Sequence, residues 1–496
     1  MFENVLGQSA TGQLIDDIRA NTLSQAMLFS GPPASGKGTA ALELGRVVSC
    51  ELHSGRWNCG CPACTRHRLL IHPDLLIMGR KNFSAEIAAS AGAFLREIAS
   101  SSCRILFIRS VRKLLARFSP VLLEDDPKAA KIAPLVNSLE EDLDELDSYI
   151  NTASDNTPEK REPLDKLVEG IKKDAFKLQS EGMGDTVPIA QLRRAAFWCR
   201  LAPSGREKLL VIENADHMQE EGRNSLLKLL EEPSTRLRIV LTSARPGSLL
   251  PTILSRLRPY RFNSRGADVE AEVIKRVFRD KSPGIRDQGI GNRDSGLQSE
   301  DKQPGHLTAT PILNPHANSL ATPVPSIRLE AYLDSFLPVS AATLKALASY
   351  FTASVAYKSA LLIKRNARSI SDEVILLGQY CAPKAEEAGL GRPKGDSGPV
   401  VALVLEKAEK FEVRSLFPRF LNFLLEQVSE SLRQSLRQSL PQSPPHSSFL
   451  IPHSSFFEIW TECCNWAESA VGTYNLRPGP VLEKLFTDLS RRMAEL

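Results

Sequence analysis

The stretch from residue 26 to residue 39 constrains the fold most, because its three parts occur in a set order. The apolar residues 26–29 predict a buried strand, residues 31–37 fit the pattern G-x-x-x-x-G-K, and an Ala- and Leu-rich helix is predicted from residue 40. A strand, a glycine-rich loop and a helix N-terminus together form a phosphate-binding loop, since backbone N–H groups then point at the phosphate oxygens. The sequence therefore predicts an α/β domain built around such a loop.

The predicted phosphate-binding loop lacks one standard part. The residues expected to contact nucleotide are Gly31, Pro32, Ser35, Gly36, Lys37, Gly38 and Thr39. Lys37 adds a full positive charge, but Gly38 stands where a Ser or Thr normally binds Mg²⁺. Thr39 can still bond a phosphate, so ATP with Mg²⁺ remains a possible ligand. The alternative is a glycine-rich turn that leads into a helix.

Composition sets only broad limits. The 496 residues suffice for two to four domains, and 62 basic residues against 58 acidic ones indicate no nucleic-acid partner by charge alone. We find no apolar run that predicts a membrane span and no signal-peptide pattern, so we expect a cytoplasmic protein with no membrane partner. In a reducing compartment, the nine cysteines are then expected to be metal ligands or buried thiols rather than disulfides.

Four cysteines lie close together in the sequence. Cys50, Cys59, Cys61 and Cys64 are typical of a structural Zn²⁺ site closed by four thiolates, with His53 and His67 as spare nitrogen ligands. Four protein ligands leave no open position for catalysis, so the predicted zinc would be structural. The alternative is a loop that carries free thiols.

A second apolar strand ends in acidic residues. Residues 208–213 predict a buried strand that ends at Glu213, and the end of such a strand beside a phosphate loop is where Mg²⁺ and the attacking water are handled. Glu213 stands in the position usually held by Asp and can still bind a metal. Asn214 stands where a Glu would normally polarise the attacking water, and an amide cannot accept a proton from that water. Asp216 comes two residues too late, and the alternative is a plain buried strand whose end is acidic by chance.

Further patterns complete the N-terminal unit. Residues 224–233 (NSLLKLLEEP) predict a helix stopped by Pro233, and residues 252–256 (TILSR) follow another apolar strand. Residues 110–185 carry helical spacing amid many Asp and Glu residues, which predicts a charged helical hairpin with no chemistry of its own.

Together these motifs resemble the bacterial clamp-loader proteins of the AAA+ ATPase superfamily. The resemblance rests on residues 31–37, the cysteine knuckle with the following His72-Pro73-Asp74-Leu75, and above all the segments 224–233 and 252–256. It covers roughly residues 1–262, apart from the insert. It implies an α/β P-loop AAA+ domain, with a parallel sheet, flanking helices, a zinc knuckle at 50–64 and a helical insert at about 110–185.

The resemblance weakens after residue 262 but still implies an order of domains. A small helical lid is expected over residues 263–370, interrupted by a disordered linker at 281–326 that is rich in Gly, Pro and polar residues. An all-α collar domain is expected over residues 371–496, with a low-complexity segment at 433–457. Collar domains of this family oligomerise into a ring.

Within the family, the residues are most similar to the delta-prime subunit of DNA polymerase III, a stator rather than a motor. Gly38, Glu213 and Asn214 depart from the motor subunit gamma/tau, as does Ala244 near a polar sensor of the γ-phosphate. Each departure weakens hydrolysis. The resemblance assigns Arg256, in the retained Ser-Arg pair, to the active site of a neighbouring subunit as a trans arginine finger, and Glu213 to a degenerate metal-binding strand.

The resemblance implies a role in replication. A delta-prime-like subunit would join gamma/tau and delta subunits in a heteropentameric ring that loads the sliding clamp onto primed DNA. Three alternatives remain: an active gamma/tau-type motor ATPase, a nucleoside monophosphate kinase, for which Gly-Lys-Gly-Thr is typical, and a helicase-like AAA+ protein. The cysteine knuckle and Arg256 have no role in the kinase alternative.

Overall fold

A five-stranded parallel sheet forms the centre of the N-terminal unit. The computed structural model describes the whole chain except residues 125, 152–157, 185–186, 219, 281–327, 338, 367–368, 409–415, 440–454, 473, 475 and 496. In the described part the strands are β1 (Ala26–Ser30), β2 (Leu75–Gly79), β3 (Lys208–Glu213), β4 (Leu237–Ser243) and β5 (Arg258–Arg261). Their spatial order is β2-β3-β4-β1-β5, and every neighbouring pair is parallel. The predicted α/β class is confirmed.

Helices cover both faces of the sheet, which explains why the strands are apolar on both sides. Leu28 and Leu210 point into one buried cluster, whereas Phe29 and Val211 point into another on the opposite face. The helices of this unit up to the insert are α1 (Ser9–Arg19), α2 (Lys37–Val48), α3 (Pro62–Arg68), α4 (Ser84–Arg96), α5 (Ser101–Leu115) and α6 (Pro120–Leu123). Those after the insert are α9 (Ile189–Arg200), α10 (Glu220–Glu231) and α11 (Pro251–Leu254).

The predicted insert contains a helical hairpin that begins later than expected. Its helices are α7 (Ala129–Asn151) and α8 (Pro158–Gly182). Residues 110–115, predicted to belong to the insert, instead end α5. The hairpin is not wholly solvated, because one face packs on α4 and α5 in a shared core. The buried side chains that it contributes include Leu139, Leu143, Leu146, Leu164, Val168 and Ile171.

The C-terminal helices divide differently from the prediction. The short helices α12 (Ala267–Val277) and α13 (Leu329–Asp334) pack against α4. The remaining helices form one bundle: α14 (Ala341–Arg365), α15 (Asp372–Glu387), α16 (Ser397–Lys407), α17 (Leu416–Ser439), α18 (Ser455–Gly472) and α19 (Pro478–Glu495). The predicted lid boundary at residue 370 is therefore wrong, because α14 lies in the core of the bundle and not beside α12 and α13. The expected linker 281–326 and most of the segment 433–457 lie outside the described residues.

Helix α14 is also the one described helix that is long and apolar enough to cross a membrane, whereas the sequence analysis expected no such run. Most of its apolar stretch is buried by the other helices of the bundle. A central core helix needs an apolar surface all round, and this accounts for its composition.

Candidate functional site

The predicted nucleotide site lies at the carboxyl edge of the sheet. Because the strands are parallel, the loop after β1 and the ends of β3 and β4 meet at this edge. Ser30 pairs with Ser243 in register, which brings the end of β4 beside the start of the loop. Glu213 and Asn214 follow on the next strand. The structure thus brings together the loop and the acidic strand end that were predicted to act together.

The loop between β1 and α2 makes its own set of contacts. The Lys37 ammonium donates to the carbonyl oxygens of Gly31 and Pro32 at 2.6 and 2.5 Å, and Ser35 Oγ donates to Pro32 O at 2.8 Å. Gly36 precedes α2 with a φ of +94°, a left-handed conformation that favours glycine. These contacts hold a compact loop with a buried lysine.

Arg265 is a residue of this site that the sequence analysis missed. Its guanidinium donates from Nη1 to Ala34 O at 2.6 Å and from Nε to Leu6 O at 3.1 Å. A Cβ atom on Gly36 would lie 2.7 Å from Arg265 Nη2. Arg265 is thus buried against the phosphate-binding loop, although more than two hundred residues separate the two in sequence. No local sequence pattern marks such a contact.

Gly38 faces the carboxylate of Glu213 directly. A Cβ atom at position 38 would overlap Glu213 Oε1. The space that a Ser or Thr side chain would need is therefore occupied by the acidic side chain. The absence of a hydroxyl at Gly38 and the position of Glu213 are parts of one arrangement.

Glu213 is paired with a cation of the protein itself. The guanidinium Nη2 of Arg117, in the single 3₁₀ turn after α5, donates to Glu213 Oε2, and both side chains are buried. Burial opposes ionisation, but the charges of Lys81, Arg117 and Lys113 hold the pKa of Glu213 below its ordinary value. Glu213 is therefore a carboxylate whose charge is already balanced.

Lys81 and Lys113 tie this pair to helix α4. Both ammonium groups contact the carboxylate of Glu86, and Lys81 Nζ lies 3.0 Å from Glu86 Oε2. Burial opposes ionisation, yet the charges of Lys113 and Lys81 hold the pKa of Glu86 well below its ordinary value. An ionic cluster of three cations and two carboxylates thus lies behind the end of β3.

Asn214 is turned away from the nucleotide loop. Its Nδ2 donates to Arg80 O at 2.7 Å, and its backbone N–H donates to Thr242 Oγ1 at 3.1 Å. The residue has a φ of +52°, a conformation that Asn tolerates better than most residues. Asn214 therefore joins the ends of three strands, a role that a carboxylate could not fill because it would face the carbonyl of Arg80.

The residues present do not fit a catalytic Mg²⁺. Gly38 offers no hydroxyl, the Glu213 carboxylate is occupied by Arg117, and the amide of Asn214 is bound to Arg80. Magnesium takes oxygen ligands in near-octahedral geometry, and the one carboxylate among these three positions is already paired with a protein cation. No hydrolytic step through a metal can therefore be derived at these three positions.

The cysteine cluster fits a structural zinc ion. The four Sγ atoms of Cys50, Cys59, Cys61 and Cys64 lie within 4.8 Å of one another, and all four residues are buried. Burial opposes ionisation, but hydrogen bonds from the Gly55 backbone and other neighbours lower the pKa of the Cys50 thiol to about 6. Four soft ligands at this spacing form a closed tetrahedral donor set, which is what Zn²⁺ prefers in structural sites.

The two spare histidines do not join the cluster. His53 Nδ1 lies 3.1 Å from the guanidinium of Arg206. His67 stacks on His72 with ring centroids 4.2 Å apart. They were expected to serve only if one thiolate failed to reach, and the four Sγ atoms lie close together without them.

A buried arginine connects the cluster to helix α2. Arg46 donates to Cys64 Sγ at 3.5 Å, to Arg56 O at 2.6 Å and to Gly55 O at 2.8 Å, and it forms an ion pair with Glu43. Outer-shell donors of this kind orient metal ligands and stabilise thiolates. The sequence analysis did not identify Arg46.

Arg256 lies apart from the loop, at the surface after α11. Its side chain is about one-third exposed, donates from Nη1 to Thr252 O at 2.7 Å and pairs with Glu231 at 2.8 Å. Glu231 belongs to the predicted 224–233 helix, so the structure joins the two segments on which the resemblance most depends. It does not join Arg256 to Lys37 or Glu213 in one site.

Part of the chain matches a known protein family. The family model described as DNA polymerase III, delta subunit matches residues 7–132 and 151–265. These two segments, just under half of the chain, are related to the clamp-loader subunits of DNA polymerase III. The predicted family resemblance is confirmed for this part of the chain. The gap between the two matched segments, residues 133–150, lies within helix α7 of the hairpin.

Individual relatives of this chain match over shorter stretches. DNA polymerase III subunit delta′ of Pseudomonas aeruginosa is 34% identical over 116 residues, which is 23% of this chain and 35% of the relative. The delta′ subunit of Bacillus subtilis is 32% identical over 97 residues, 20% of this chain and 29% of the relative. The gamma/tau subunit of Mycobacterium tuberculosis is 30% identical over 89 residues, 18% of this chain and 15% of the relative. The matches thus span about a third or less of these relatives.

Among solved structures, a DNA polymerase III gamma subunit-related protein of Thermotoga maritima covers 66% of this chain and 90% of its own. The identity is 15% and the TM-score is 0.26, a superposition too loose to support an assignment.

Proposed function

We propose that this clamp-loader-related subunit is a stator of the delta-prime type in the replicative DNA polymerase III holoenzyme. It would join gamma/tau and delta subunits in a heteropentameric cytoplasmic ring and help the ring load the sliding clamp onto primed DNA. One observation carries the proposal: the chain's own metal site is filled by Arg117, while Arg256 lies exposed at the domain surface. Such a subunit would give a catalytic group to a neighbour without hydrolysing ATP itself.

Arg256 has the properties that a donated arginine needs. Its ion pair with Glu231 is exposed, and exposed pairs contribute only about 0–1 kcal/mol, so a neighbour's phosphate can replace Glu231 at little cost. The guanidinium charge is permanent, and its fixed fork of donors suits the oxygens of a transferring phosphoryl group. An arginine supplied in trans raises phosphoryl-transfer rates by about three to five orders of magnitude.

The test is a reconstituted complex that carries Arg256→Ala. We expect the ring to form and to bind nucleotide, while DNA-stimulated ATP hydrolysis by the neighbouring motor subunit falls and clamp loading slows. Arg258→Ala is the matched control, because Arg258 is a surface arginine that pairs with Asp17, also at 2.8 Å. Unchanged hydrolysis and loading by an intact Arg256→Ala ring would contradict the proposed role.

The second candidate is a motor ATPase of the gamma/tau type, favoured by the intact Lys37 loop and by the Mycobacterium tuberculosis relative. Steady-state ATP turnover by the isolated chain separates the two. We expect turnover to be slow or absent, because losing a preorganised catalytic group costs about 3–4 kcal/mol in the transition state and both Gly38 and Asn214 represent such losses. Turnover comparable to that of a motor subunit would favour this second candidate.

A further inference from the structure

We propose that nucleotide in the loop of residues 31–39 is bound without a divalent cation, because Arg117 supplies the positive charge beside Glu213. This inference deepens the proposed stator role and rests on the phosphate-binding loop named there. The Arg117 guanidinium is part of the protein, so this positive charge is present at any metal concentration.

Arg117 is held in place by contacts from each of its guanidinium nitrogens. Nε donates to Gly79 O at 3.3 Å, Nη1 donates to Lys113 O at 3.0 Å, and Nη2 donates to Glu213 Oε2. The guanidinium also lies 5.0 Å from the centroid of the Phe83 ring. To admit a metal ion at Glu213, the protein would have to break these contacts and leave a buried charge unpaired.

The charges around Glu213 also oppose a metal ion. Three cations, Lys81, Lys113 and Arg117, face two carboxylates, Glu86 and Glu213, which leaves the cluster with one net positive charge. At typical metal–ligand distances, repulsion from these cations would offset the attraction of one carboxylate, since like charges in a poorly solvated site repel strongly. The same net positive charge would attract the anionic phosphates of a nucleotide.

Gly38 supplies the steric part of the argument. A side chain at position 38 would overlap Glu213 Oε1, and Arg117 prevents Glu213 from moving aside. The hydroxyl that would complete a magnesium site therefore cannot be restored while Arg117 is in place. The three residues exclude the metal together.

The experiment measures the dissociation constant of a fluorescent ADP analogue for the isolated chain, in excess MgCl₂ and in EDTA at equal ionic strength. For the wild type we expect the two values to agree within about twofold. In Arg117→Met we expect Mg²⁺ to strengthen binding by about tenfold, because Glu213 is then free to act on a cation. Arg117→Lys should behave like the wild type, since it keeps the charge.

Arg112→Met is the matched control for the substitution. Arg112 lies on α5, one helix turn before the 3₁₀ turn that carries Arg117, but it pairs with the exposed carboxylate of Asp144 and not with Glu213. Binding of the ADP analogue by Arg112→Met should not depend on Mg²⁺. Circular dichroism on each variant shows whether it is folded, and the wild-type measurement decides the question even if Arg117→Met fails to fold.

Two results would overturn the inference: wild-type binding strengthened about tenfold by Mg²⁺, or no binding of the analogue under either condition. Neither result touches the proposed stator role, which is tested by Arg256→Ala in the assembled complex. Conversely, full activity of the complex that carries Arg256→Ala would contradict the stator role even if nucleotide binding is independent of Mg²⁺. The two failures are therefore distinguishable.

Discussion

Lys37 is a buried lysine beside carboxylates that only partly compensate its desolvation. Burial lowers the pKa of Lys37 to about 8, while the charges of Asp216 and Glu213 oppose the shift. Between pH 8 and its ordinary value of 10.5, the unfolded chain therefore holds a proton that the folded chain has lost. Stability rises with pH wherever the unfolded state binds more protons, so this lysine destabilises the fold least at alkaline pH.

This shift predicts a pH-dependent difference between the wild type and Lys37→Met. As the pH rises from about 7 to about 9.5, the free energy of unfolding of the wild type should improve relative to the variant by about 2 kcal/mol. Denaturant unfolding at each pH measures this difference. The exposed Lys228→Met serves as control, and a Lys37 difference that stays as flat as that of Lys228 would show that Lys37 keeps its ordinary proton affinity.

At the scale of single residues, the sequence predicted what local pattern encodes and missed what tertiary contact creates. The loop and the four cysteines follow recognisable spacings, and the structure brings each group together. Arg117 and Glu213 are 96 positions apart, and no periodicity connects them. Arg265 reaches the loop from beyond β5 in the same way.

Helix α2 carries a different site at each end. Lys37 begins the helix beside the nucleotide loop, and Arg46, in its last turn, contacts the cysteine cluster. Zinc bound by four thiolates carries a net negative charge, so a buried guanidinium on Cys64 stabilises the loaded site. The metal site thereby fixes the C-terminal end of the helix that presents the loop.

We therefore expect about one Zn²⁺ per chain, and we expect Arg46→Met to lower the zinc affinity by about 10- to 100-fold. Elemental analysis of untagged protein gives the stoichiometry, and competition with a chromogenic chelator gives the affinity. Arg66→Met is the control, because Arg66 is an exposed arginine on α3 two residues after Cys64. Zinc near zero with four freely titratable thiols would disprove the site, and equal affinity in both variants would disprove the role of Arg46.

At the scale of elements, apolar periodicity was a sound guide to strands and helices but not to how helices group. Strands β1 to β4 coincide with apolar runs, because both sheet faces are buried there, whereas the edge strand β5 has the sequence RPYR and is mostly exposed. Residues 104–108 lie inside α5, although a short apolar run of this kind fits a strand as well as a helix. Helix α14 was assigned to the lid because linear order cannot show which neighbours a helix packs against.

The whole molecule contains several separate cores, and the largest buried cluster of the described residues is the C-terminal bundle. Phe351 on α14 makes edge-on contacts with Phe420 and Phe486, whose ring centroids lie 5.8 and 5.6 Å away. One side chain thus joins α14, α17 and α19. If the bundle is the collar of a ring, its integrity should limit assembly and not the metal or nucleotide sites.

Phe351→Ala tests this separation. We expect the bundle to lose about 3–5 kcal/mol of stability, as is usual for a buried Phe that leaves a cavity, and ring assembly to weaken. Zinc content should not change. Denaturant unfolding and size-exclusion chromatography with partner subunits provide the measurements, and Phe197→Ala, an exposed phenylalanine on α9, is the control. Unaltered stability would mean that Phe351 does not anchor the bundle.

The contact between Gly38 and Glu213 also affects how this domain can change by mutation. A hydroxyl side chain introduced at position 38 collides with a carboxylate that Arg117 keeps in place, whereas removing Arg117 alone takes away the hydrogen-bonded partner of the buried Glu213 carboxylate. Each of the two substitutions alone should therefore destabilise the domain, whereas the two together remove the collision. Their effects on the free energy of unfolding should not be additive. A side chain that could bind a metal at position 38 would therefore require a matching change at position 117, so we expect these two positions to vary together.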